Sequence, residues 1–115
     1  MPTIEHTHHR INELRAQGAD TEVLEMVIQR MIDHDIPMPY LYYVDTGNSS
    51  IMVEWTIGNW EVSIDVDNEI AQYYAFKYHT DIDHELMLDM NDSATYTTLK
   101  ERLENYAMEA SLAGR

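Results

Sequence analysis

Residues 51–66, IMVEWTIGNWEVSIDV, decide the fold. Two runs of alternating apolar and polar residues flank Gly58-Asn59, a two-residue hairpin signal of the kind with glycine first. Folding one run onto the other about that turn sets Ile57 against Trp60, Trp55 against Val62, Val53 against Ile64 and Ile51 against Val66. Side chains alternate along a strand, so one face of this hairpin is continuously apolar. The other carries Glu54, Thr56, Glu61, Ser63 and Asp65. In this register Glu54 sits opposite Ser63 and Thr56 opposite Glu61, so no two acids are direct cross-strand partners and like-charge repulsion is limited.

On the N-terminal side the hydrophobic period changes from two to that of a helix. Ile4, Ile11 and Leu14 share a face of a helix predicted to run to Gln17, with Gly18 as its stop. Asp20 or Thr21 caps a second helix whose apolar positions are Val23, Leu24, Met26, Val27, Met31 and Ile32. Pro37 and Pro39 bar its continuation. YLYYV then reads as a strand, followed by turn chemistry at Asp45-Thr46-Gly47-Asn48.

On the C-terminal side, IAQYYAFKYH reads as a strand with two available registers. A three-residue turn sends Ile70, Tyr74, Phe76 and Tyr78 inward. An even-numbered turn sends Ala71, Tyr73, Ala75 and Lys77 inward, which is the poorer core, so Tyr73 is expected on the outside. HELMLDM alternates Leu86 and Leu88 with Glu85, Met87 and Asp89, as an edge strand does. A last helix, starting at Asp92 or Ser93 and ending near Gly114, gathers Tyr96, Leu99, Leu103, Tyr106 and Ala110 on one face. The expected fold class is α+β in a single domain, residues 1–115. It has two N-terminal helices, an antiparallel meander of four to five strands and a C-terminal helix, all helices packed on one sheet face.

The run PMPYLYYVDTGNSSIMVEWTIGNWEVSIDVD, Pro37 to Asp67, resembles an uncharacterised family of small acidic bacterial and phage proteins. These join a Pro-Tyr strand, a glycine-containing turn, a Glu-Trp strand and an acidic alternating strand. The resemblance implies the sheet and carries no activity with it.

Charge bounds the function. The 115 residues hold 21 acids against 7 Lys and Arg, a formal charge of −14, and residues 45–92 hold eleven acids and one base, Lys77. Direct binding to nucleic acid or to an anionic membrane needs a cationic surface, so neither is expected. The chain is too rich in aromatic and β-branched residues to be a disordered acidic tail. It has no cysteine, which removes disulfides, thiolate metal sites and cysteine nucleophiles. No apolar run has the length of a signal sequence or membrane span, so a cytoplasmic location is expected.

Candidate chemistry is sparse. His6, His8 and His9 diverge at helical spacing and read as a surface cluster rather than a metal site. DVDNEI and DIDHEL begin like calcium loops but put Ile70 and Leu86 where the loop requires glycine. His79, Asp81, Asp83 and His84 read as a solvated turn. Glu54 and Glu61 lie on an open strand face, where a carboxyl is not desolvated enough to hold a proton for acid–base work. There is no phosphate-binding glycine loop and no nucleophile elbow. No catalytic residue, metal or cofactor is therefore expected.

The acidic excess points to a cationic partner or serves solubility alone, and the first reading sets the expected function. The expected function is a non-catalytic acidic module that docks on a basic, nucleic-acid-binding protein. Its most concrete form is a phage inhibitor of a host defence nuclease, an anti-CRISPR-like DNA mimic. An antitoxin or immunity-type protein masking a basic toxin is the alternative, and a small metal-dependent enzyme a further one. The expected partner-binding residues are Glu54, Glu61, Asp65 and Asp67, with Tyr73 and one of Tyr42 or Tyr43 as outward aromatic anchors. A homodimer is also compatible with the sequence.

Overall fold

A computed structural model describes residues 2–45, 49–66 and 69–113. Its elements run α1 (Ile4–Ala16), α2 (Glu22–Asp33), β1 (Tyr40–Asp45), β2 (Ser49–Ile57), β3 (Trp60–Val66), β4 (Ile70–Lys77), β5 (Asp83–Asp89) and α3 (Ser93–Ala113). The five strands form one antiparallel meander in the order β1-β2-β3-β4-β5. This is the expected α+β domain.

Helix ends follow local chemistry. The Thr3 hydroxyl accepts from the His6 N–H at 3.1 Å and caps α1. At its far end Gly18 adopts φ +92°, its N–H donates to the Arg15 carbonyl, and the Ala19 N–H reaches the Leu14 carbonyl. That pair of bonds is a Schellman stop, and it turns the chain straight into α2. Asp20 serves α2 from just outside, accepting from the Glu22 N–H at 3.1 Å, while the Thr21 side chain caps no helix N–H. A second Schellman stop ends α2 two residues ahead of Pro37, with Asp35 at φ +57° and the Ile36 N–H bonded to the Met31 carbonyl at 2.9 Å. Asp92 opens α3 by accepting from the Ala94 N–H at 3.0 Å.

The hairpin pairs as its sequence predicts, from Ile51↔Val66 through Ile57↔Trp60. Gly58 takes φ +57° while Asn59 does not take a positive φ, which is the glycine-first turn. Trp55 and Trp60 are both buried on the helix side. The Trp55 indole donates to the Pro37 carbonyl at 2.8 Å, and the Trp60 indole stacks 4.4 Å from Tyr106 of α3. The core gathers Leu14, Leu24, Val27, Met31, Leu99 and Leu103 from the helices against Val53, Val62 and Ile64 of the sheet. Ile28 belongs to it as well, although the helical pattern did not single it out. Ile4 is exposed; Thr7 takes the inward place, its hydroxyl donating back to the Thr3 carbonyl at 3.0 Å.

β4 departs from expectation. It pairs Ile64↔Tyr73 and Asp65↔Gln72, an even-numbered connection, so Ala71, Tyr73 and Ala75 face the helices and Ile70 is exposed. The reason lies in α3. Two alanines leave room for the helix to approach, and Tyr73 stands between them with its hydroxyl 2.7 Å from that of Tyr106. Each phenol gives the other a hydrogen-bond partner in the core, which makes burying both affordable.

Candidate docking surface

With the helices on one side, the opposite sheet face is set by register alone. Three rows cross it: Tyr40–Glu54–Ser63–Tyr74–Glu85, Tyr42–Met52–Asp65–Gln72–Met87, and Thr56–Glu61–Phe76–Asp83. Asp89 joins the margin of the face opposite Ile70. Of the expected partner-binding residues, Glu54, Glu61 and Asp65 are brought together here, half-buried near the centre of the sheet. Asp67 lies outside the described residues, as do Thr46-Gly47-Asn48 of the expected β1–β2 turn and Gly114.

Tyr73 must be corrected. It was expected outside as a partner contact, and it is fully buried against α3, where burial and the Tyr106 hydroxyl push its phenol far above the ordinary value. It cannot touch a partner. Of the other two tyrosines, Tyr42 points outward and is 48% exposed, while Tyr43 packs partly against the core.

The outward aromatics are instead Tyr40, Tyr42, Tyr74, Phe76 and Tyr78. Tyr74 and Phe76 of β4 and Tyr78 just past its end form a line, with ring centroids 5.9 and 5.1 Å apart. They were missed because they share a parity: once Tyr73 is inside, its neighbours at even positions are outside. The alanines at 71 and 75 were the available signal, as small residues at alternate positions mark where a helix comes close to a sheet.

Among the described residues this face holds six acids, Glu54, Glu61, Asp65, Asp83, Glu85 and Asp89, and no base. Lys77 belongs to the other side, where it bonds the Glu109 carboxylate of α3. The acids feel each other: the Glu54 carboxyl is raised above its usual range by partial burial and then by the Glu61 charge. Tyr78 donates its hydroxyl to Glu61, and that bond raises the phenol in turn. Asp65 Oδ1 is buried without a hydrogen-bond partner among the described residues.

Other candidate chemistry does not converge. No group of three or more His, Asp or Glu side chains is placed to hold a metal ion among the described residues. His6, His8 and His9 are exposed on α1. Asp83 and His84 take opposite faces of β5, with His84 stacked 5.7 Å from Trp60. A groove of about 590 Å³ between α1 and β1 is lined by His6, His9, Arg10, Glu13, Tyr40 and Tyr42 and meets the open face at its β1 edge. Its Arg10 is already engaged, donating from Nε to the Leu41 carbonyl at 3.2 Å, which caps part of the free edge of β1. No helix of the described residues is long and apolar enough to cross a membrane.

No protein-family model matches the chain, and neither curated proteins nor solved structures yield a match. What the sheet face can do follows from its own chemistry.

Proposed function

We propose that this chain is a non-catalytic docking module whose open sheet face binds a basic, nucleic-acid-binding protein. One observation carries the reading: six acids share the helix-free face with no base among the described residues to neutralise them. Unbalanced like charge opposes compaction, so a face that keeps it gains from meeting a complementary surface. A complementary cationic surface supplies that balance, and it also accelerates encounter and rejects wrongly charged partners. Proteins that bind phosphates already present such a surface, so the carboxylates stand where phosphates would. An inhibitor of a phage-defence nuclease is the most concrete form of this role. An antitoxin over a basic toxin would use the same face.

Capture from lysate of the native host tests the proposal. The captured protein should bind nucleic acid by itself, and excess duplex DNA should displace it. Capture should also fail with a Glu54→Gln, Glu61→Gln, Asp65→Asn variant of unchanged fold. A partner that is indifferent to both DNA and neutralisation would overturn the reading.

A further inference from the structure

We infer that the open face is built for arginine, so that the partner segment it takes is arginine-bearing rather than merely cationic. This rests on the docking role proposed above and specifies its occupant. The ground is the arrangement of two side-chain classes over the sheet. Aromatic rings occupy β1 (Tyr40, Tyr42) and β4 with the residue that follows it (Tyr74, Phe76, then Tyr78), and acids occupy β2–β3 (Glu54, Glu61, Asp65) and β5 (Asp83, Glu85, Asp89). The columns therefore alternate. Register places Phe76 beside Glu61 on one side and Asp83 on the other, and Tyr74 beside Glu85. Adjacent strands lie about 4.8 Å apart, so a group resting on one of these rings is within reach of a neighbouring carboxylate.

Arginine and lysine use such a surface differently. A guanidinium is planar and weakly hydrated; it stacks on a ring while its N–H fork meets a carboxylate. An ammonium is compact and strongly hydrated, and gains mainly from the charge. Uniform acid would serve either cation, whereas rings interleaved with acid favour the guanidinium. The carboxylates also keep acceptor capacity for it. Glu61 uses Oε2 for the Tyr78 hydroxyl and Glu85 uses Oε1 for the Gln72 amide. Tyr40, Tyr42 and Tyr78 are exposed, so their rings are open to stacking.

The test uses the full chain and two peptides of equal length and charge, one with arginine and one with lysine at the same positions, titrated calorimetrically. At physiological salt the arginine peptide should bind about tenfold tighter, the gain expected from a few guanidinium–ring contacts. A Tyr74→Leu, Phe76→Leu, Tyr78→Leu variant, checked for its fold by circular dichroism, should lose that preference and keep its weaker affinity for the lysine peptide. Equal affinity for the two peptides on the unaltered chain would overturn the arginine inference and leave cationic docking standing. Binding of neither peptide, even at low salt, would overturn both.

Discussion

Two carboxylates show how differently the same residue type is used in this fold. Glu109 is held below its usual range by the Lys77 ammonium and by the Trp60 indole, which donates to it at 3.0 Å. A depressed carboxyl contributes stability that is present above its unfolded value and is lost as pH falls through the folded one. Glu54 is the reverse case. Its folded value is raised, so the fold binds the proton more tightly than the unfolded chain does. Its ionised form therefore costs stability at neutral pH, and the cost vanishes as pH falls through the raised value. Glu54→Gln should raise stability at pH 7 by less than about 1 kcal/mol, since water screens a half-exposed charge. The gain should fade in acid. Glu109→Gln should lower stability at neutral pH, and that loss should fade in acid as well. Urea midpoints measured across pH would check both. If Glu54→Gln destabilised the chain at neutral pH, Glu54 would have to be a structural acceptor, not a charge left available for a partner.

Among the elements, the hairpin and α3 depend on each other, and here the legibility of the sequence divides. The β2–β3 register could be read because a two-residue Gly-Asn turn leaves only one way to pair the runs, which also placed Glu54, Glu61 and Asp65 on one face. β4 had no such turn, and the row of aromatics at 74, 76 and 78 pointed to the wrong parity. What chose between the parities was α3, whose Tyr106 lies 33 residues beyond Tyr73, and the alanines at 71 and 75 were the one local trace of it. The same helix constrains the turn itself. A Cβ on Gly58 would lie 2.3 Å from Cβ of Ala110, and the positive φ there already disfavours any side chain. Gly58→Ala should cost about 2–4 kcal/mol, strain in the turn adding to overpacking. Adding Ala110→Gly should recover part of this, and a double-mutant cycle by denaturant unfolding would measure the coupling. Additive effects would show that the turn and helix do not meet. Trp60 is the other link, stacked on Tyr106 and bonded to Glu109. Trp60→Ala should cost about 3–5 kcal/mol by the same assay, as large aromatic truncations in cores do; a near-neutral result would reverse the assigned faces of the hairpin.

For the whole molecule the decisive quantity is where the charge of −14 is placed relative to the packing. Helices bury one sheet face, and the hairpin's own alternation then commits its acids to the other, so the acids can be altered without opening the core. Left to itself such a surface repels phosphate, and the chain should show no retardation of duplex DNA or RNA at physiological salt. Neutralising Glu54, Glu61 and Asp65 as Gln, Gln and Asn keeps side-chain size and the hairpin pattern while removing charge from the centre of the face. Folding stability should hold or rise slightly as self-repulsion falls. Association with the native partner should slow, and its dependence on salt should flatten, because long-range steering is what those charges supply and ions screen it over about 8 Å at physiological strength. Stopped-flow rates across a salt series separate this from a loss of contact, which would show mainly in dissociation. If the association rate and its salt slope were unchanged in the neutralised chain, the acids would be solvated surface alone. The partner would then have to be engaged elsewhere, with the groove between α1 and β1 the next place to look.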